Sequence, residues 1–163
     1  MGVSGCGKTA VGKALAKRLG WEFIESDDYH SESDIRKMAN NIPLTDEDRI
    51  PWLEVQNRIL LQKQGDGIPV ILASSALKES YRELMCQGLD GCEYVYLKGS
   101  YNLIWERMSR RSHFMKPSML QSQFDTLEEP SDAFTVDILH SVQQIIDQII
   151  DHFHLKDQFS STI

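Results

Sequence analysis

Short apolar runs alternate along the chain with longer stretches in which apolar residues recur every three or four positions. Val11, Leu15 and Leu19 share a four-residue spacing that predicts a helix over 8–19, with Gly20 at the position where a glycine closes a helix. Residues 21–25 read as a short strand, and polar residues follow up to Thr45. Thr45-Asp46-Glu47-Asp48 has the form of a capping box and Pro51 suits a first helical turn. Trp52, Val55, Ile59 and Leu60 then predict one apolar helix face, running to the turn Gly65-Asp66-Gly67. Further on, 69–74 (PVILAS) reads as a buried parallel strand, 78–86 as a helix and 93–97 (EYVYL) as a strand. Helices are expected over 101–110 and 119–127, separated by a basic stretch through Pro117. The last strand is 134–138 and the last helix 142–153, with Val142, Ile145, Ile146 and Ile149 on one face. Such βα alternation predicts a single α/β domain over 1–163, a parallel sheet between two helical layers.

Size agrees with one domain: 163 residues, 41% of them apolar, suffice for one core. The net charge of −7 repels nucleic acid and anionic membrane, so neither is expected as a partner. A small anionic substrate can still be held by a local group of Arg and Lys. Cys6, Cys86 and Cys92 are odd in number and lack metal-ligand spacing, which predicts reduced thiols and a cytoplasmic protein. Cys6 reads as a small loop-filling residue. No apolar run reaches transmembrane length.

The chemistry enters with Gly2-Val3-Ser4-Gly5-Cys6-Gly7-Lys8-Thr9, which satisfies G-x-x-x-x-G-K-[ST] at every defined position. Glycines let the main chain turn its N–H groups inward into an anion nest, and the following helix aims its positive end at the same point. In such a P-loop Lys8 reaches the β- and γ-phosphates of ATP and the Thr9 hydroxyl ligates Mg2+. A P-loop joins a strand to a helix, yet only Met1 stands ahead of Gly2. The sheet is therefore expected to lack its first strand. That expectation keeps open a chain that binds nucleotide or a partner without catalysis.

No N-K-x-D motif is present, which argues against a signalling GTPase, and the strand 69–74 ends in serines rather than an acidic pair, which argues against a remodelling ATPase. Transfer to a small hydroxyl instead needs a carboxylate near the acceptor, cations around the moving group and a cover against water. Asp27 and Asp28 follow the second expected strand at its C-terminal end, where ligands bind in such sheets. Arg107, Arg110, Arg111 and His113 form a cluster suited to a mobile cover or to an ordinary solvated face.

Five blocks, GVSGCGKT (2–9), SDDYH (26–30), IPLTDEDRIPW (42–52), SALKESYR (75–82) and HFMKPSMLQSQFDTLEEP (113–130), resemble the small P-loop gluconokinases, relatives of shikimate kinase. The resemblance covers Gly2 to about Phe153. It implies a P-loop kinase three-layer sandwich, phosphorylation of D-gluconate by ATP with Mg2+, a lid over about 107–130 and a possible homodimer. By position it implies Asp27 as orienter or general base at the acceptor hydroxyl and Arg49 as the holder of the substrate's acidic end. Lys78 and Arg82 would face the substrate, Arg82 having a surface role as its alternative, and Gln123 is a weaker candidate. Arg111 would neutralise developing γ-phosphoryl charge, Arg107 would stack on adenine, and His113 would bind substrate or pack the lid. Glu25 stands where relatives carry the first Asp of D-x-D. Another small polyol acid remains open as the acceptor.

Overall fold

The computed structural model describes residues 1–110 and 119–156. Helix α1 (Lys8–Leu19) follows the P-loop and ends at Gly20, whose left-handed φ of +68° lets its N–H reach the carbonyl of Ala16. Strand β1 (Glu22–Glu25) runs into a short 3-10 turn (Ser26–Tyr29), then α2 (Glu32–Ala39) and the long α3 (Asp46–Gly65). After β2 (Val70–Ala73) come α4 (Glu79–Cys86), β3 (Val95–Lys98), α5 (Tyr101–Ser109), α6 (Leu120–Thr126), β4 (Phe134–Asp137) and α7 (Val142–His152).

The capping box at Thr45 is complete: its hydroxyl accepts from the Asp48 N–H while the Asp48 carboxylate accepts from the Thr45 N–H. Helix α2 lies in the stretch read only as polar. A second capping box, Ser31 with Asp34, starts it, and Met38 anchors it in the core. In α3 the buried residues are Trp52, Leu53 and Gln56, and Leu60 packs partly buried on the same core; Trp52 and Leu60 are thus inward as expected, while Val55 and Ile59 are half-buried. In α7, Ile145, Ile146, Ile149 and Ile150 are buried whereas Val142 is exposed.

Among the described residues all strand pairs are parallel, β1 with β2 (Glu22 opposite Val70) and β3 with β4 (Val95 opposite Phe134). They form two separate two-stranded sheets. The main chain at Met1 and Gly2 stitches the two: the Met1 amino group donates to Val95 O at 2.5 Å, Leu97 N–H donates to Met1 O at 3.0 Å, and Gly2 N–H donates to Ser75 O at 3.3 Å. Side chains alternate across β2. Ile71 packs on the core formed by α1, α5 and α7, and Leu72 on the core formed by α3 and α4. This is the three-layer arrangement expected of the alternation.

Cys86 and Cys92 form a disulfide, contrary to the three reduced thiols expected from their spacing. The turn after α4 brings their Cα atoms to 6.3 Å, within bridging range. Cys6 is free and 1% exposed, a filler beneath the P-loop. Among the described residues no helix is long and apolar enough to cross a membrane.

Candidate active site

The P-loop leaves the Met1 stitch, turns through Gly5 (φ +83°) and Gly7 (φ +105°), and enters α1. These conformations carry a steric penalty for residues with a Cβ. At Gly5 a Cβ would stand 2.5 Å from Met108 of α5, whereas at Gly7 it would meet nothing within 4 Å. The loop is thus pressed against the core on one side and open on the other. No acidic residue occupies the first turn of α1, so the positive helix end there is not offset locally. Lys8 Nζ donates to Gly2 O at 2.9 Å and Val3 O at 3.1 Å, lying back over the loop that it serves. Ser4 N–H donates to Oε1 of the buried Gln123 at 2.6 Å, so α6 braces the loop through a glutamine ranked only a weak substrate candidate from sequence.

Asp27 sits in the 3-10 turn at the C-terminal end of β1, half-buried. The turn is fixed by Trp52 of α3, whose indole N–H donates to Ser26 O at 2.8 Å. The same indole stacks on His30 with centroids 4.4 Å apart and planes 8° apart. His30 Nε2 is 3.8 Å from Asp27 Oδ1, and its Nδ1 is 3.8 Å from Asp34 Oδ2, both beyond direct hydrogen-bond reach. Burial lowers the imidazole pKa from its ordinary 6.5, against the opposing pull of Asp27 and Asp34. His30 lies in the block SDDYH (26–30), where no local signal gives it a role. Its aromatic shelf, Trp52, is far off in sequence and only the fold joins the two.

Arg49 reaches the same place from the first turn of α3. Its two potential acidic partners are engaged elsewhere: Asp46 by Lys78 at 2.8 Å and by the Tyr81 hydroxyl, Asp48 by Lys37 at 2.6 Å. Arg49 Nε is buried without a hydrogen-bond partner, and its guanidinium carbon lies 5.7 Å from the Tyr81 ring centroid. Lys8, Asp27, His30, Arg49 and Trp52 all line one cavity of about 30 Å³ beside the P-loop.

Three other candidates from the sequence do not line that cavity. Lys78 caps α4 and pairs with Asp46. Arg82 is 6% exposed, and its Nη1 donates to the carbonyls of Ala76 (3.1 Å), Leu77 (3.4 Å) and Glu128 (3.2 Å). Arg107 Nη2 donates to Ile138 O at 2.8 Å, fixing the loop ahead of Leu139 and His140. Arg111 and His113 lie outside the described residues.

The residues present suit a nucleotide phosphate chain and its magnesium. The nest is open at Gly7, Lys8 is at hand, and the Thr9 hydroxyl is exposed at the helix start, donating to Glu25 Oε2 at 2.7 Å. Burial raises the Glu25 pKa, and the charge of Asp27 raises it further, while the Thr9 hydrogen bond opposes both.

The shikimate kinase family profile matches residues 4–153. A Mus musculus protein named probable gluconokinase is 48% identical over 149 residues, covering 80% of this chain and 81% of that one. The thermosensitive gluconokinase of Escherichia coli K12 is 40% identical over 156 residues, covering 91% and 82%. A solved gluconokinase from Sinorhizobium meliloti 1021 superposes with a TM-score of 0.81 at 38% identity, covering 99% of this chain and 95% of its own. The unliganded structure of a sugar kinase from Janibacter sp. HTCC2649 gives a TM-score of 0.90, also at 38% identity, covering 95% and 92%. With the P-loop geometry and these matches over most of its length, the chain belongs to the shikimate kinase family, in its gluconokinase group.

Proposed function

We propose that this chain transfers the γ-phosphoryl group of ATP to a hydroxyl of D-gluconate, giving 6-phosphogluconate and ADP. The observation that carries the reading is the convergence of a P-loop lysine, a carboxylate and a guanidinium on one cavity: Lys8, Asp27 and Arg49. The gluconokinase relatives support the choice of acceptor.

Each residue type suits its role. The loop amides from Gly2 to Thr9 cradle the phosphates, and Lys8 swings from its two loop carbonyls to the β- and γ-oxygens, where charge grows in transfer. Arg49 offers a planar fork to the substrate carboxylate. Asp27 orients the acceptor hydroxyl and takes its proton as the oxygen–phosphorus bond forms and the bond to the β–γ bridging oxygen breaks. Thr9, with Glu25 behind it, would hold magnesium, which would supply neutralising charge to the phosphates. From the resemblance, Arg111 would add positive charge at the γ-phosphoryl group, Arg107 and His113 would belong to the lid and Lys78 would face the substrate, whereas the three carbonyls held by Arg82 give it a structural part.

A coupled assay of ADP release tests the proposal. Release should depend on gluconate and saturate with it. Equal rates with shikimate or a nucleoside monophosphate would reject the acceptor, and a Lys8→Ala chain retaining the full rate would reject the P-loop role.

A further inference from the structure

His30 is held more firmly than a spacer between a turn and a helix requires. Its side chain is 5% exposed and lies flat on the Trp52 indole, which is itself tied to Ser26 O. One carboxylate faces each ring nitrogen: Asp27 Oδ1 lies 3.8 Å from Nε2, and Asp34 Oδ2 lies 3.8 Å from Nδ1. The two ends differ. Nδ1 is sealed from solvent without a hydrogen-bond partner, and the Asp34 side chain beside it is 7% exposed. Asp27 is 35% exposed and shares the small cavity with the ring and with Lys8 and Arg49. Asp34 is fixed in place, because the oxygen that faces Nδ1 also accepts from the Ser31 N–H at 3.2 Å in the capping box of α2. A buried carboxylate demands donors. The single N–H of a neutral ring therefore belongs on Nδ1, towards Asp34, which leaves the Nε2 lone pair towards Asp27. Carboxylate, imidazole and open base site stand in the order that serves proton transfer in hydrolytic triads.

We propose that His30 is the positioning residue for Asp27 and the outlet for the proton that Asp27 collects. The inference rests on the transfer reading above. As the oxygen–phosphorus bond forms, the acceptor hydroxyl gives its proton to the Asp27 carboxylate. That proton then passes from the Asp27 carboxyl to the Nε2 lone pair, which restores the carboxylate and leaves an imidazolium between Asp27 and Asp34. It is lost to solvent when product leaves, and no other reactant is consumed. Closing by about 1 Å brings Nε2 into hydrogen-bond range of Asp27. An imidazole is ordinarily a stronger base than a carboxylate, so the proton moves downhill. Burial lowers the pKa of the resting ring from 6.5; the charges of Asp27 and Asp34 oppose that shift and the charge of Arg49 adds to it. The lone pair is thus free to accept at neutral pH.

Three readouts test the relay. Nitrogen NMR of the parent ring should report its hydrogen on Nδ1, and a hydrogen on Nε2 would overturn the proposal. His30→Phe keeps a flat ring for Trp52 but has no nitrogen. It should lower kcat about tenfold or more and leave the gluconate KM within about twofold. The parent should lose kcat as pH falls below 6.5 and the ring protonates, and His30→Phe should lack that acid limb. Asp34→Asn keeps an acceptor for the Ser31 N–H and loses the charge. It should lower kcat by a smaller factor, and it decides the matter if His30→Phe does not fold. Parental kcat and acid limb in the folded variants would overturn the proposal and leave the transfer reading in place. A parent without gluconate-dependent ADP release would instead reject the transfer reading, and the relay with it.

Discussion

The Thr9 hydroxyl donates its hydrogen to Glu25 Oε2 across 2.7 Å, tying the first turn of α1 to the end of β1. In the proposed reaction Thr9 would offer its hydroxyl to magnesium, and Glu25 would act behind the metal as an outer partner that orients its ligand. Replacing such a partner costs 10–100-fold in metal affinity. Glu25→Ala should raise the magnesium concentration for half-maximal rate by about that factor and leave the gluconate KM near its original value. A magnesium titration of the rate checks this, and an unchanged midpoint would separate Glu25 from the metal.

His30 gives the site a pH dependence whose sign follows from its burial. Its folded pKa lies below the ordinary 6.5. Above that value the ring is neutral in both states and costs nothing. As pH falls below about 6.5 the unfolded chain takes up a proton that the folded chain resists, so stability is lost across the window between the folded value and 6.5. Asp27 and Asp34 soften the effect and Arg49 strengthens it. Urea unfolding at pH 7.5 and pH 5.5 should show a drop in midpoint for the parent that is smaller in His30→Phe.

Arg49 has a test that separates binding from chemistry. Lysine keeps the charge but loses the planar fork. Arg49→Lys should raise the gluconate KM by about 10–100-fold, the equivalent of roughly 1.4–3 kcal/mol, with a smaller change in kcat and none in the KM for ATP. An effect confined to the ATP term would move Arg49 to the nucleotide side.

For Arg82 the expected loss is of stability. Its guanidinium holds three main-chain carbonyls that join the start of α4 to Glu128. Arg82→Met should destabilise the fold by about 3 kcal/mol, since buried carbonyls lose a charged donor. Denaturant unfolding measures it. A stable variant with a raised gluconate KM would instead support the substrate role implied by the resemblance.

How much of this was legible beforehand depended on the kind of signal. Helix α1 could be read to the residue because its apolar spacing and its closing glycine agree. The four strands were placed to within one or two residues because short apolar runs between turns leave few alternatives. Helix α2 escaped because Ile35 and Met38 are the only large apolar side chains among its eight residues, and the S-x-x-D cap at Ser31 was the signal available. The inward face of α3 was legible in part: Trp52 and Leu60 lie on it, but it also includes Gln56, a polar residue that bonds back to Trp52 O and is 1% exposed. Within the site, Lys8 is legible from the P-loop motif, Asp27 from its place after a strand and from the family resemblance, and Arg49 from that resemblance alone. The His30–Trp52 stack and the Gln123 brace join residues distant in sequence, and no local spacing announces such contacts.

The central claim is that Lys8, Asp27 and Arg49 act together to move a phosphoryl group onto gluconate. Phosphorus NMR of the chain with ATP, magnesium and gluconate follows that group directly. A phosphomonoester resonance should grow in step with ADP, and should be absent from a parallel Lys8→Ala sample. ADP accompanied by inorganic phosphate alone, with no sugar phosphomonoester, would contradict the account.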